Sequence, residues 1–296
     1  MERLKEKVAV VTGGGTGIGE AICKKFAMEG ARVVVAGMPQ DPVEDVVSEI
    51  EERGGRAIGF KGDLADKKDA EKCIRMAVEE FGKLDILINN AGIFPVTAEL
   101  QEYDIDAFDS LIRNNIRSAF MMTRAALPEL HKTKGCIVSA GSEAGRLGIA
   151  QNTPYGGTKG FIHAFMKGVA IEQAKHGVRA NCVCPGPIDT AWTRKEEGPM
   201  DEKMEKTMIG ANAMGRRGTP EEVANVYLFL ASDEASYVTG ALCFVDGGTT
   251  VVKGNVGEQA DESMKQQPKG SLPLRHSKDG ATEVRWPKSS SAKEKT

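Results

Sequence analysis

The stretch "VAVVTGGGTGIGEAICKKFAMEG", residues 8–30, decides the fold of this chain. Four apolar residues lead into five glycines, and Ile18, Ile22 and Phe26 then recur at every fourth position. Uninterrupted apolar runs are typical of strands buried on both faces of a parallel sheet, and a spacing of four places side chains on one face of a helix. The stretch therefore predicts a buried strand, a tight glycine loop and a helix that ends at Gly30.

The same alternation continues along the chain. Amphipathic segments separate further short apolar runs, and one of these segments opens with the capping-box pair Thr219 and Glu222. Strand–helix alternation over about 250 residues predicts an α/β, Rossmann-like doubly wound fold, with a parallel sheet of about seven strands flanked by helices. Besides the run at 8–11, the predicted strands lie at 32–36, 56–60, 84–89, 136–140, 179–184 and 241–245.

Composition narrows the class of protein. Of the 296 residues, 41% are hydrophobic and 27% are charged, and the net charge of −3 argues against a nucleic-acid-binding domain. The six cysteines form no C-x-x-C pair and the four histidines form no ligand spacing, so we expect reduced thiols and no metal site. No apolar run approaches the roughly 18 residues of a membrane span. We expect a cytoplasmic protein that has no membrane partner.

The chain divides into one domain and a polar extension. Residues 1–252 carry the strand–helix pattern and are predicted to form a single catalytic domain, in which 188–214 break the rhythm and are interpreted as a substrate lid. Met200, Met204 and Met208 recur in that lid at helical spacing, which favours either core packing or a pocket wall. From position 253 to 296 only nine of 44 residues are apolar, which predicts a disordered tail.

The glycine loop carries a binding pattern. Thr12, Gly13, Gly17 and Gly19 fit T-G-x-x-x-G-x-G between a strand and a helix. Glycines let the backbone approach a pyrophosphate closely, and the helix N-terminus supplies free N–H groups. The loop therefore predicts a dinucleotide site.

The choice of coenzyme stays open in the sequence. The end of the second strand presents Gly37 and Met38 where an acid would favour NAD or a base would favour NADP. The predicted coenzyme is therefore NAD or NADP.

A second motif is "PYGGTKGF", residues 154–161. Tyr155 and Lys159 stand four apart, which puts a phenol and an ammonium on one helix face. Gly156 and Gly157 weaken that helix, and we interpret them as places where the backbone packs closely against the coenzyme or another helix.

With these motifs the chain resembles the single-domain, roughly 250-residue branch of the short-chain dehydrogenase/reductase (SDR) family, over about residues 5–250. The resemblance rests on the glycine loop and on "GDL" (62–64), "NNAG" (89–92), "RNNIRSAF" around Asn115, Ser142 placed before Tyr155, "PGPIDT" (185–190) and "VTGALCFVDGG" (238–248).

The resemblance implies a catalytic set. Tyr155 would be the general acid/base, and Lys159 would lower its pKa and hold the nicotinamide ribose. Ser142 would hydrogen-bond the substrate oxygen, and Asn115 would hold a water of a proton relay.

The resemblance also implies binding residues. For the coenzyme these are Gly13, Gly15, Thr16, Gly17, Ile18, Gly19, Gly37, Met38, Asp63, Leu64, Asn90, Ala91, Gly92, Tyr155, Lys159, Pro185, Gly186, Ile188 and Thr190. For the substrate they are Ser142, Glu143, Phe94 and Trp192.

The implied activity is that of an NAD(P)-dependent dehydrogenase or reductase acting on CH–OH groups of a small alcohol or ketone, in a homotetramer or homodimer. Two alternatives are weighed against it. A non-catalytic coenzyme-binding sensor or scaffold would not need the catalytic residues. An epimerase or dehydratase usually has a longer substrate domain, for which this chain has no room.

Overall fold

Seven strands form one parallel sheet in the order β3-β2-β1-β4-β5-β6-β7. The computed structural model describes residues 2–193 and 201–280. The strands are β1 (Val8–Thr12), β2 (Arg32–Gly37), β3 (Arg56–Lys61), β4 (Ile86–Asn89), β5 (Cys136–Ala140), β6 (Arg179–Pro185) and β7 (Leu242–Val245). Each coincides with one of the predicted apolar runs, so the predicted fold class is confirmed.

Helices cover both faces of this sheet. They are α1 (Gly17–Met28), α2 (Val43–Glu51), α3 (Lys67–Phe81), α4 (Ile105–Leu111), α5 (Ser118–Thr133), α6 (Thr153–Gln173), α7 (Glu202–Ala211), α8 (Pro220–Ala231) and α9 (Glu262–Lys265). A π-helical segment (Ile112–Arg117) joins α4 to α5. Short 3-10 turns lie at Leu100–Glu102, Glu143–Gly145, Ala174–His176, Ala191–Thr193, Asp233–Ala235 and Val256–Gln259.

Alternate strand residues supply two separate cores. Val11 and Val35 pack on one side of the sheet with α1, α2 and α8, whereas Val10 and Val34 pack on the other side with α3, α5 and α6. Because both faces are covered, these strands read as continuous apolar runs in the sequence.

The order of the strands reverses between β1 and β4, which places a crevice at their carboxyl ends. The Thr12 hydroxyl ties the two strand ends together. It donates to the Ile88 carbonyl at 3.2 Å and accepts the backbone N–H groups of Asn90 and Ala91, each at 2.9 Å. This crevice is where ligands bind in open α/β sheets.

Part of the predicted disordered tail, residues 253–280, makes contacts with the domain. Residues 253–280 follow a defined course over the domain, and Leu272 is buried against the core that α1 and α8 share. This segment needs few apolar residues to attach to the domain, because its backbone amides donate hydrogen bonds to the carboxylates of Glu20 and Glu221. The remainder of the expected tail, 281–296, lies outside the described residues.

No helix within the described ranges is long and apolar enough to span a membrane.

Candidate active site

A cavity of about 760 Å³ lies at the carboxyl ends of the strands, where a drug-sized or larger ligand fits. All of the predicted coenzyme residues line it except Gly15 and Gly19, and all four predicted substrate residues line it as well. Asn115 lies outside the lining set, although it is buried next to Ile93.

The glycine loop forms a cradle that side chains would fill. Gly13 and Gly17 have φ angles of +62° and +54°, which favour glycine. A Cβ on Gly19 would lie 1.8 Å from the Gly13 carbonyl oxygen, so Gly19 keeps α1 against the loop without touching the cavity itself. Such a cradle at a helix N-terminus fits the pyrophosphate of a dinucleotide.

Three of the predicted catalytic side chains converge at the inner end of the cavity. The Tyr155 phenol is hydrogen-bonded to Ser142, and the Lys159 Nζ lies 5.6 Å from the centre of the Tyr155 ring. The Lys159 ammonium donates to the Ala140 carbonyl at 3.0 Å. The arrangement brings a phenol, a hydroxyl and an ammonium group to one place.

Burial dominates the proton equilibria of this group. It raises the pKa of Tyr155 above its ordinary value, while the hydrogen bond from Ser142 acts in the opposite direction. Burial lowers the pKa of Lys159 to about 8. The expectation that Lys159 lowers the pKa of Tyr155 therefore differs from this structure, in which desolvation of the phenol is the larger effect.

Asn115 sits in the π-helical segment between α4 and α5. Its side chain binds the backbone of Ile93 twice, accepting the N–H at 2.8 Å and donating to the carbonyl at 3.0 Å, and it donates to Thr158 Oγ1 at 3.2 Å. Thr158 in turn donates to the Tyr155 carbonyl at 2.7 Å. Single π-helical turns are frequent at functional sites. Thr158, which the sequence reasoning missed, thus connects Asn115 to the helix that carries Tyr155.

The two glycines between Tyr155 and Lys159 differ in their surroundings. A Cβ on Gly156 would lie 2.8 Å from the Ala144 carbonyl oxygen, so the helix packs closely on the turn after Ser142. A Cβ on Gly157 would meet nothing within 4 Å in the part of the chain that the structure describes. The close-packing interpretation therefore fits Gly156 and has no counterpart at Gly157.

Glu143 follows Ser142 and is 9% exposed. Burial and the neighbouring charge of Asp246 raise the pKa of its carboxyl group to about 7, and a hydrogen bond from Thr249 opposes the shift. Among the described residues, its Oε2 atom is buried without a hydrogen-bond partner. A buried polar atom in that condition is rare in folded proteins.

The outer wall of the cavity is aromatic and sulfur-rich. Phe94 contacts Tyr155 with ring centres 4.8 Å apart, and Trp192 meets Tyr155 edge-on at 6.3 Å. Met204 and Met208, on α7 of the expected lid, line the same cavity. Met200, the third methionine of that pattern, lies outside the described residues.

The far end of the cavity holds an acid that the sequence reasoning missed. Asp41 lines the cavity beside Gly37 and accepts the Met38 N–H at 2.8 Å. Asp41 lies four residues after the end of β2, whereas the sequence motif considers only the residue at the strand end. Nearby, Asp63 accepts a hydrogen bond at 3.0 Å from the guanidinium of Arg113.

A buried cluster lies directly behind Ser142 and Lys159. His163 Nε2 is 3.2 Å from the Cys184 Sγ, and the sulfurs of Cys184 and Cys182 are 3.9 Å apart. The hydrogen bond between the two thiols lowers the pKa of Cys184 and raises that of Cys182. Spacing along the sequence showed that the two cysteines share a face, but His163 comes from α6 and gave no signal.

Comparison with known proteins agrees with this geometry. A family profile described as "Enoyl-(Acyl carrier protein) reductase" matches residues 13–250. L-rhamnose 1-dehydrogenase (NAD(P)(+)) of Sphingomonas sp. (strain SKA58) is 39% identical over 254 residues, covering 85% of this chain and 99% of the relative. Meso-2,3-butanediol dehydrogenase of Serratia marcescens is 36% identical over 252 residues, covering 85% and 98%.

A solved structure and a further relative extend the comparison. The crystal structure of gox2181 superposes with a TM-score of 0.80 at 32% identity, covering 85% of this chain and 99% of that one. The 3-oxoacyl-[acyl-carrier-protein] reductase FabG of Thermotoga maritima is 35% identical over 252 residues, covering 84% and 100%. With its fold, its glycine cradle and these relatives, the chain belongs to the short-chain dehydrogenase/reductase family.

Proposed function

We propose that this chain is an oxidoreductase that interconverts an alcohol and a carbonyl group of a small molecule, using NAD(P) and with Tyr155 as the general acid/base. The observation that carries the proposal is the convergence of Tyr155, Ser142 and Lys159 inside a cavity that also contains the glycine cradle. The bound nicotinamide would supply or accept the hydride.

The side chains supply the proton chemistry. In reduction, Tyr155 Oη donates its proton to the substrate oxygen while the Ser142 hydroxyl hydrogen-bonds that oxygen and stabilises the developing charge. In oxidation the phenolate accepts the proton from the alcohol, and the nearby Lys159 ammonium favours the phenolate. The lid at 188–214 would exclude water through Trp192 and the methionines of α7.

The first prediction concerns Tyr155→Phe, which removes the proton donor and keeps the ring contacts. We expect kcat/KM over an alcohol and ketone panel to fall by at least about 100-fold, because a positioned acid/base contributes roughly that much. The dissociation constant for NADH or NADPH, measured by fluorescence titration, should change little.

Tyr237→Phe is the matched control, since Tyr237 is 102% exposed and lies outside the cavity lining. A Tyr155→Phe variant with the turnover of this control would contradict the assigned role.

The substrate class we propose is an alcohol with a second hydroxyl or carbonyl oxygen near the reacting carbon. Glu143 supports this, because this carboxyl-bearing residue lines the cavity and directly follows Ser142 in the chain. The printed names of the rhamnose and butanediol dehydrogenases describe a sugar and a diol, which agrees with this class.

The second prediction compares 2,3-butanediol with 2-butanol, which lacks one hydroxyl. We expect the wild type to favour the diol in kcat/KM by at least about 10-fold, because a site built to hydrogen-bond a hydroxyl rejects the analogue without it. Glu143→Gln should narrow this ratio. Equal kcat/KM values for the two alcohols in the wild type would contradict the proposed class.

The same variant tests the pKa of Glu143, whose raised value means that the folded state holds the proton more tightly. Stability from this group is present below the ordinary pKa of 4.5 and is lost as pH rises through about 7. Between pH 5 and pH 8, Glu143→Gln should gain on the order of 2 kcal/mol relative to the wild type in urea unfolding. If the difference in unfolding free energy between the variant and the wild type is the same at pH 5 and pH 8, Glu143 ionises with its ordinary pKa.

For the coenzyme we propose a preference for NAD. Asp41 supports it, because a carboxylate beside Gly37 at the end of β2 would repel the extra phosphate of NADP.

The third prediction is that NADH binds at least about tenfold more tightly than NADPH, a difference of roughly 1.4 kcal/mol. Asp41→Asn keeps an acceptor for the Met38 N–H and should reduce that ratio. The exposed Glu51→Gln on α2 serves as the control. Tighter binding of NADPH by the wild type would overturn the preference.

We also propose assembly into a homodimer or homotetramer through α5 and α6. Phe120 and Phe161 are 42% and 38% exposed, and both rings pack on Phe165, at 6.3 and 5.5 Å. The exposed rings of Phe120 and Phe161, with the half-buried Phe165 between them, form an aromatic patch across the two helices, and exposed apolar patches mark interaction sites.

The fourth prediction is that Phe161→Glu lowers the mass measured by light scattering, because it buries a charge in the contact. Phe229→Glu on α8 is the matched control, since Phe229 has the same 38% exposure on the other face of the sheet. A wild type that is monomeric would contradict this proposal.

A further inference from the structure

Residues 271–280 form a strap that runs from α8 across α1 to the mouth of the cavity. Leu272 is 9% exposed and, with the partly buried Leu274, packs on the core beneath α1 and α8. Asp279 and Gly280, at the far end of the strap, line the cavity. The strap therefore joins the core to the candidate coenzyme site.

The first anchor of the strap is the N-terminal turn of α8. The Glu221 carboxylate accepts the backbone N–H groups of Ser271 and Leu272, at 2.6 and 3.0 Å, and also the Ser271 hydroxyl. Hydrogen bonds to an ionised group are roughly twice as strong as neutral ones. The start of the strap is thus fixed by one side chain.

The second anchor is a buried charge network on α1. Glu20 is fully buried and Lys24 is 2% exposed; they pair at 2.6 Å, and Lys24 also donates to the Pro273 carbonyl at 2.7 Å. The two Glu20 oxygens accept the backbone N–H groups of Arg275 and His276, at 2.8 and 3.0 Å. Buried charges are tolerated only with such partners. The strap therefore supplies hydrogen-bond partners that the buried Glu20 carboxylate and Lys24 ammonium need.

The third contact is with the coenzyme loop itself. The Gly17 N–H, in the first turn of α1, donates to the His276 carbonyl at 3.0 Å. A Cβ on Gly280 would lie 3.6 Å from Thr16 Oγ1 and 3.8 Å from Trp192 Nε1. The end of the strap therefore lies between the glycine cradle and the expected lid.

An ion pair joins the strap to the segment that follows β6. The Lys278 ammonium pairs with the Asp189 carboxylate and donates to the Asp189 carbonyl at 3.2 Å. Asp189 belongs to the segment after β6, beside the cavity-lining Ile188 and Thr190. The strap therefore contacts two opposite sides of the cavity. One side is the first turn of α1, and the other is the end of β6.

From these contacts we infer that the strap belongs to the coenzyme site. It holds the first turn of α1 in place through Glu20 and Gly17, and it covers the bound coenzyme. The inference rests on the proposed binding of NAD(P). The strap residues are positioning residues, and they set how tightly and for how long the coenzyme is held.

The experiment compares two truncated chains with the full chain. One ends after residue 270 and lacks the strap, and the matched control ends after residue 280 and keeps it. NADH and NADPH affinities are measured by fluorescence titration, and coenzyme release is followed by stopped-flow displacement.

We expect the chain without the strap to bind coenzyme at least about tenfold more weakly and to release it faster, while the control behaves like the full chain. A strapless chain that binds and releases coenzyme like the full chain overturns the inference. A full chain that binds neither coenzyme overturns the proposed function and the inference together, so the two failures are distinguishable.

A second variant avoids dependence on a truncated fold. Thr16→Cys combined with Gly280→Cys places two thiols where the strap meets the loop, and oxidation of that one protein should slow coenzyme exchange at least about tenfold, with recovery under reducing agent. Intact-mass analysis verifies the cross-link. Exchange at the same rate in the cross-linked and reduced forms overturns the inference.

Discussion

The first turn of α1 approaches the end of β1 so closely that no side chain fits between them, and the candidate site depends on that approach. A Cβ at position 19 would lie 1.8 Å from the Gly13 carbonyl oxygen. The left-handed φ angles of Gly13 and Gly17 bring the chain from strand to helix within four residues. Because the turn is this short, the backbone amides that begin the helix face the crevice between β1 and β4. Thr12 then holds the opposite bank of the crevice at a fixed distance.

A second constraint, desolvation, acts at the end of the cavity that holds Tyr155 and Lys159. Burial moves the pKa of Tyr155 up and that of Lys159 down, so each group is driven towards its neutral form. A buried phenol with a raised pKa stays protonated near neutral pH, so the form that donates a proton is populated and the phenolate that accepts one is scarce. The hydrogen bond from Ser142 opposes that shift, and a cation held close to the phenol would oppose it further. The balance between burial and these partners decides how much phenol and how much phenolate is present at a given pH.

The sequence predicted the fold well because strand burial leaves a local signal. All seven apolar runs coincide with strands. A strand that is covered on both faces is apolar along its whole length, so its ends are visible in the sequence. The glycine loop and the Tyr155–Lys159 pair line one cavity, because glycines in a short turn and a spacing of four on a helix encode geometry within a few positions. Asp41 and His163 could not be found in this way. Asp41 lies on the loop past the strand end, outside the position that the motif considers, and His163 meets Cys184, which is distant in the sequence.

Residues 253–280 make contacts with the domain that their composition does not reveal. Low hydrophobicity predicts disorder when the chain must order itself by burying its own apolar surface. Here the domain supplies buried carboxylates, Glu20 and Glu221, whose charges need hydrogen-bond donors. A peptide backbone offers one donor per residue whatever its side chains are. The signal for an ordered strap was therefore present in α1, as a charged Glu20–Lys24 pair on a face that also carries core residues, and not in the composition of the segment that covers it.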